Sequence, residues 1–275
     1  MTASHDWHDP ARFPDPAALH ADTVCRTPPT MLHGDERKLL RWLVREHFTG
    51  AGAVVDLGCW LGGSTAALVT GLRENRQVPE QGRIIHTYDW FRWHPSYEKY
   101  GLDFTRAPGE CFVEEVERYL APWRSSVDLH VGDITSATWE GGPIEFLFVD
   151  LMKDAASTRS VALTFFPHLI PNRSLVLHQD FKHYFTFWLH LLMYRLREYF
   201  VPVLNLGRAS TVVFQPVERL TVEAIEQAAT FDTVAGDEID AAFDYSDGVV
   251  TYSEPALREE IRKARARAKD VLLRN

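Results

Sequence analysis

Apolar and polar positions along the chain change their period in blocks. In residues 35–47, Leu39, Leu40, Trp42 and Leu43, followed by Phe48, recur at helical spacing with charges between them, which predicts an amphipathic helix. Residues 53–57 (AVVDL) form a short apolar run that ends in a glycine-rich turn, and residues 65–72 read as a helix. The alternation continues. Strands are predicted at 83–88, ending at Asp89, at 127–131, ending at Gly132-Asp133, and at 145–149, ending at Asp150. A further strand at 174–177 runs into His178-Gln179-Asp180. Helices are expected at 111–119, at 157–169, where Pro171 stops the run, and at 188–199. Two closing strands, 200–206 and 211–214, flank Gly207-Arg208.

Five strand-then-helix units followed by a hairpin predict a doubly wound α/β fold, a parallel sheet with one antiparallel strand. Residues 1–31, rich in Pro, Asp and His and without a period, read as an irregular arm that could cover the site. Residues 32–216 form the domain, and residues 217–275 form a helical C-terminal extension. Its last helix, 255–275, is highly charged and reads as a solvated or packing helix. With no obvious core partner for that helix or for the arm, a homodimer is the expectation.

Composition narrows the partners. The 275 residues are 45% hydrophobic, enough for a sizeable core. A net charge of −9 argues against nucleic acid, whose phosphates call for a basic face. Cys25, Cys59 and Cys111 have no paired spacing, so neither a disulfide framework nor a cysteine zinc site is expected. The start of the chain has no signal-peptide pattern, and the apolar stretch 185–193 is short and interrupted by His190. These features predict a cytoplasmic protein with a small-molecule partner and neither a nucleic-acid nor a membrane partner.

Candidate chemistry begins with Asp56-Leu57-Gly58-Cys59-Trp60-Leu61-Gly62-Gly63-Ser64-Thr65. Glycines between a strand and a helix let a ligand approach the backbone, and amides at the helix start can hold its polar end. Trp60 stands at the central position of a GxGxxG pattern, where a dinucleotide pyrophosphate needs glycine, so a nicotinamide cofactor is disfavoured. The absence of a Tyr-x-x-x-Lys pair after the fifth strand disfavours it as well. An amino-acid carboxylate needs less room. Asp89, at the end of the second strand, can accept hydrogen bonds from both ribose hydroxyls of an adenosine. Asp133 beside Ile134, at the end of the third, suits an adenine amine and ring face. Together these residues place polar groups along the carboxyl edge of one sheet, where open α/β folds bind ligands.

This pattern resembles the class I S-adenosylmethionine-dependent methyltransferases over roughly residues 32–215. The turn GCWLGGS and the stretch Tyr88-Asp89-Trp90-Phe91 are similar to those of macrocin-type O-methyltransferases of natural-product pathways. The resemblance implies a Rossmann-like seven-stranded sheet of order 3-2-1-4-5-7-6. It implies that Asp56, Gly58, Cys59, Trp60, Gly62 and Ser64 surround the methionine part of S-adenosylmethionine. Asp89 and Trp90 would serve the ribose side, and Asp133 with Ile134 the adenine.

On the acceptor side, Asp150 and Asp180 each end a strand, and two such carboxylates can converge on a hard cation. Macrocin-type enzymes resemble this, with magnesium between acids on the same two loops, so Mg2+ joins S-adenosylmethionine as an expected cofactor. Here Gln179 stands where that family often has the first acid of a pair, just before Asp180, and Asp154 competes with Asp150 as the aligned one. The alternative is that Asp180 only bonds a loop backbone. Three groups are candidate proton acceptors or catalytic partners: His183, three residues after Asp180, with His178 and Lys153 flanking. A histidine's ordinary pKa suits a general base at neutral pH. His190 reads as a packed helix residue. Trp90, Phe91, Trp93, Tyr97, Phe181, Tyr184, Phe185, Phe187 and Trp188 supply a possible aromatic wall, with Trp90, Phe91 and Trp93 the preferred pocket members. The expected reaction is methyl transfer to an oxygen of a small molecule, such as a secondary metabolite or a sugar hydroxyl. Nitrogen methylation and a non-catalytic S-adenosylmethionine-binding role are the alternatives.

Overall fold

The computed structural model describes residues 28–79, 84–250 and 255–273; most of the arm, residues 1–27, lies outside them. Helix α1 (Gly34–His47) opens on a capping box in which the His33 side chain accepts from the Asp35 amide and Glu36 accepts from the His33 amide. Strand β1 (Ala53–Leu57), helix α2 (Gly63–Glu74), β2 (Ile85–Asp89), α3 (Val113–Leu120), β3 (Val127–Val131) and β4 (Ile144–Val149) follow. Then come α4 (Ala155–Phe165), β5 (Leu175–His178), α5 (Phe187–Arg195), β6 (Phe200–Asn205) and β7 (Val212–Pro216). Three helices complete the chain: α6 (Val222–Ala228), α7 (Gly236–Val249) and α8 (Pro255–Leu272).

The strands form one seven-stranded sheet of order β3-β2-β1-β4-β5-β7-β6, as the resemblance implied. Strands β1 to β5 pair in parallel, and β7 runs antiparallel to both β5 and β6. The central strands are apolar runs rather than alternating patterns because helices cover both sheet faces. On one face Val54, Phe146, Phe148 and Leu177 pack against Leu40, Val44, Ala67 and Leu68 of α1 and α2. On the other, Val55, Leu147, Val149 and Val176 pack against Val161 and Phe165 of α4 and Leu191 and Leu192 of α5.

Helix boundaries shift for local reasons. Asp154 caps α4, accepting from the Ser157 amide at 2.8 Å, so the helix begins two residues earlier than the hydrophobic pattern predicts. That role turns Asp154 into a structural residue. Cys111 bridges to Arg92 in a short β-contact and leaves α3 to start at Val113.

The C-terminal helix has partners within the chain, contrary to the reading that left it unpaired. Ile261, Ala264 and Ala268 are buried in the same cluster as Ile239, Phe243 and Leu191. Arg265 bonds Asp240 and Asp244, and Lys269 reaches Asp240. The helix therefore gives no ground for a homodimer. Among the described residues, no helix is long and apolar enough to cross a membrane.

Candidate functional site

The turn after β1 is built by backbone conformations that side chains resist. Gly58 has φ +91°, and a Cβ there would lie 2.7 Å from the Asp150 carbonyl oxygen. Gly62 has φ +87°, and a Cβ would meet the Leu120 side chain at 2.8 Å. Trp60 and Phe91 hold left-handed conformations as well, with φ of 50° and 51°. Asp89 stabilises both: its Oδ2 accepts from the Trp60 amide at 2.8 Å and its Oδ1 from the Phe91 amide at 2.9 Å. Burial pushes the Asp89 carboxyl up, and the amides of Phe91, Trp60 and Trp90 pull it back. The carboxylate keeps acceptor capacity for a ligand hydroxyl.

Asp56 was expected at the cofactor, and the structure corrects this. It is wholly buried and accepts from Ser64 Oγ at 2.9 Å and Thr65 Oγ1 at 2.6 Å, so it fixes the start of α2 from below. Burial pushes its carboxyl up to about 7.

Above the turn lies a cavity of about 730 Å3. Gly58, Trp60 and Asp89 line it together with Asp150, Lys153, Asp180 and His183. Met31, Glu36, Tyr97, Tyr100, Phe185, Arg208 and Leu257 are among the other wall residues. Cys59 and Ser64 line a smaller adjoining pocket with Gly58, Trp60, Asp150, Thr30, Met31 and Leu32. The last described residues of the arm thus reach the site, as expected. Trp60 Nε1 is a buried donor with no hydrogen-bond partner among the described residues, on a cavity wall.

Asp150 and Asp180 converge as anticipated, but on an ammonium. Lys153 Nζ donates to Asp150 Oδ1 at 2.5 Å and also to Asp180 Oδ2. Burial pulls the Lys153 pKa down, but Asp150 and Asp180 outweigh it and hold the group well above its ordinary value. Lys153 therefore stays protonated and has no lone pair with which to accept a proton. Nor do the acids fit magnesium, because the ammonium stands between them and offsets their charge.

The three histidines separate. His183 lines the cavity, its Nδ1 buried and without a partner among the described residues. Burial lowers its pKa against the opposing pull of Asp180, so the ring is neutral at pH 7. His178 belongs to the core instead, packed on Phe181 and Phe214, and burial drives it down to about 3. His190 is a packed helix residue as read, sharing a 2.8 Å contact with Ser246 Oγ.

Asp133 and Ile134 stand next to Asp89, since the Gly132 amide donates to the Asp89 carbonyl at 3.1 Å. Asp133 lines a separate open pocket of about 370 Å3 with Tyr88, His130 and Thr138. Its Oδ1 accepts from the amide and hydroxyl of Thr135, and these bonds hold its carboxyl below the usual range. Ile134 is buried beneath it, and Trp90 stands 55% exposed. Of the other preferred aromatics, Phe91 and Trp93 are core residues, 0% and 3% exposed and packed on Phe112. The cavity takes Tyr97, Tyr100 and Phe185 instead.

Two buried charges went unnoticed in the sequence. Glu36 reaches the cavity from α1 and accepts from Thr211 Oγ1 at 2.7 Å. Lys182 donates to the carbonyls of Leu206 and Ala209 at 2.5 and 2.9 Å, which sets the β6–β7 turn carrying Arg208. The capping-box spacing of His33 and Glu36 was the one available signal for Glu36. Lys182 offered none.

Residues 55–180 match a family described as a methyltransferase domain. The chain is similar in structure to the O-methyltransferase NovP, at 18% identity over 70% of this chain and 84% of that one, with a TM-score of 0.55. It is also similar to the Podospora anserina methyltransferase PaMTH1, solved with S-adenosylhomocysteine, at 16% identity over 81% and 73% of the chains, TM-score 0.40. A third is CalS11, a calicheamicin methyltransferase, at 13% identity over 65% and 76%, TM-score 0.45. At 18% identity the likeness to NovP speaks to the fold alone. No curated protein matches the sequence.

Proposed function

We propose that this chain, residues 55–180 of which match a methyltransferase domain, uses S-adenosylmethionine to methylate an oxygen of a small aromatic or sugar-bearing molecule held in the main cavity. The observation that carries the reading is that one cavity joins the Gly58–Trp60–Asp89 turn to the Lys153–His183 cluster. The turn fits the cofactor. Gly58 keeps the backbone open, Trp60 offers an unpaired donor, and Asp89 has lone pairs to spare for ribose hydroxyls. Asp133 and Ile134 would hold the adenine. When bound, S-adenosylmethionine supplies a methyl group made electrophilic by its sulfonium.

Lys153 with its two acids and His183 serve the acceptor. Two N–H bonds of Lys153 go to Asp150 and Asp180, and the third can meet the acceptor's oxygen and stabilise the negative charge that develops there. His183, neutral at pH 7, takes the acceptor's proton. The faces of Tyr97, Tyr100 and Phe185 position a flat ring. This ammonium and base favour an oxygen acceptor, because a neutral amine needs neither.

The test uses chelator-treated protein, labelled S-adenosylmethionine and a panel of phenols, catechols, glycosides and amines. Methylation of hydroxyl acceptors is expected, unaffected by the chelator and lost in Lys153→Met at unchanged cofactor affinity. Strict magnesium dependence, turnover of amines alone, or full activity in Lys153→Met would each overturn the reading.

A further inference from the structure

Away from the cavity, on strands β2 and β3, two imidazoles and a carboxylate meet. His86 lies opposite Asp128 in the parallel register, and His130 follows Asp128 by two positions and so shares its face. His86 Nδ1 is 3.4 Å from His130 Nε2 and 3.4 Å from Asp128 Oδ2, and His130 Nε2 is 3.2 Å from the same oxygen. Zinc binds imidazole and carboxylate at about 2.0–2.1 Å, and a tetrahedron with such arms has edges of about 3.3–3.4 Å. The three donor atoms thus already stand at the spacing of one face of that tetrahedron. The rings are held in place: Tyr88 stacks on His130 at 4.1 Å with planes 4° apart, and Trp139 packs edge-on against His86 at 5.1 Å. Asp128 and His130 are 55% and 36% exposed along their side chains, which leaves the fourth corner open to water.

We propose that His86 Nδ1, Asp128 and His130 Nε2 form a binding site for a zinc-class divalent transition metal. Imidazole with one carboxylate suits zinc, cobalt or nickel rather than magnesium or calcium, which prefer oxygen alone. The site joins the edge strand β3 to β2, directly below the pocket lined by His130 and Asp133. A bound metal would therefore brace the strand that presents the Asp133 loop.

The experiment is titration of the untagged full chain, stripped with chelator, first with Co2+ by visible absorption and then with Zn2+ by calorimetry. Wild type, His86→Asn and Asp128→Asn are compared, and melting without metal confirms that the variants are folded. One cobalt per chain with the intense visible bands of four-coordinate cobalt is expected. Zinc should raise the wild-type Tm, and its affinity should fall at least about tenfold in each variant. Absence of zinc binding by the wild type, or wild-type zinc affinity in both folded variants, would overturn the proposal.

Discussion

Replacing Asp89 by Asn removes little volume and tests the proposed cofactor contacts of the turn. The carboxylate accepts from the Trp60 amide with one oxygen and from the Phe91 amide with the other. Asparagine has one acceptor and one NH2, so in either rotamer a donor faces a donor. The residue that loses its acceptor is Trp60 or Phe91, and each holds a left-handed conformation costing about 1–2 kcal/mol. A lost hydrogen bond to a charged group is worth about 1.5–3 kcal/mol. The ribose hydroxyls lose a charged acceptor as well. Part of this falls on the folded state and part on binding. A loss of about 2–4 kcal/mol in cofactor affinity corresponds to roughly 30- to 700-fold in Kd. Calorimetric titration with S-adenosylmethionine measures it, and a thermal melt alongside separates weakened binding from unfolding. A folded variant with Kd within about threefold of wild type would refute the assignment of Asp89.

Other perturbations probe the same frame. Gly58→Ala places a Cβ 2.7 Å from the Asp150 carbonyl at φ +91°, so a loss of about 2–4 kcal/mol is expected from the conformation and the overlap. Urea unfolding should show it, and a midpoint equal to wild type would contradict the geometry. Asp56→Asn addresses pH. The folded carboxyl sits at about 7, above its ordinary 3.8, so its contribution is complete below 3.8 and is lost as pH rises through 7. Relative to wild type, the Asn variant should therefore gain about 2–3 kcal/mol between pH 5 and pH 8. Parallel stability profiles would show that Asp56 does not titrate in that window. His183, lowered by burial from 6.5, should give the rate an acid limb below pH 6.5. His183→Gln should remove that limb and lower kcat while leaving cofactor affinity intact, and an unchanged profile would exclude it as the base.

Much of the architecture was legible because its causes are local. Strands buried on both faces read as unbroken apolar runs, and acids at their carboxyl ends mark one edge of the sheet. The glycines at 58 and 62 could be read as a turn that side chains would block, and the structure gives the atoms they would strike. His190 read as a packed residue from its apolar helix, and it is one.

What the sequence alone determined is therefore the order of elements, the turn after β1 and the line of acids at the sheet edge. Each depends on neighbours a few residues away or on the repeat of the fold. Only the tertiary structure decided which charges meet. Asp180 reaches Lys153 across 27 positions, and Thr211 reaches Glu36 across 175. It also sorted the aromatics, sending Phe91 and Trp93 to the core and Tyr97 to the cavity, and it set His86 against His130 across two strands. Hydropathy is the same for an aromatic in the core and one on a cavity wall. Charge pairing acts through space, over distances that the spacing of residues along the chain does not record.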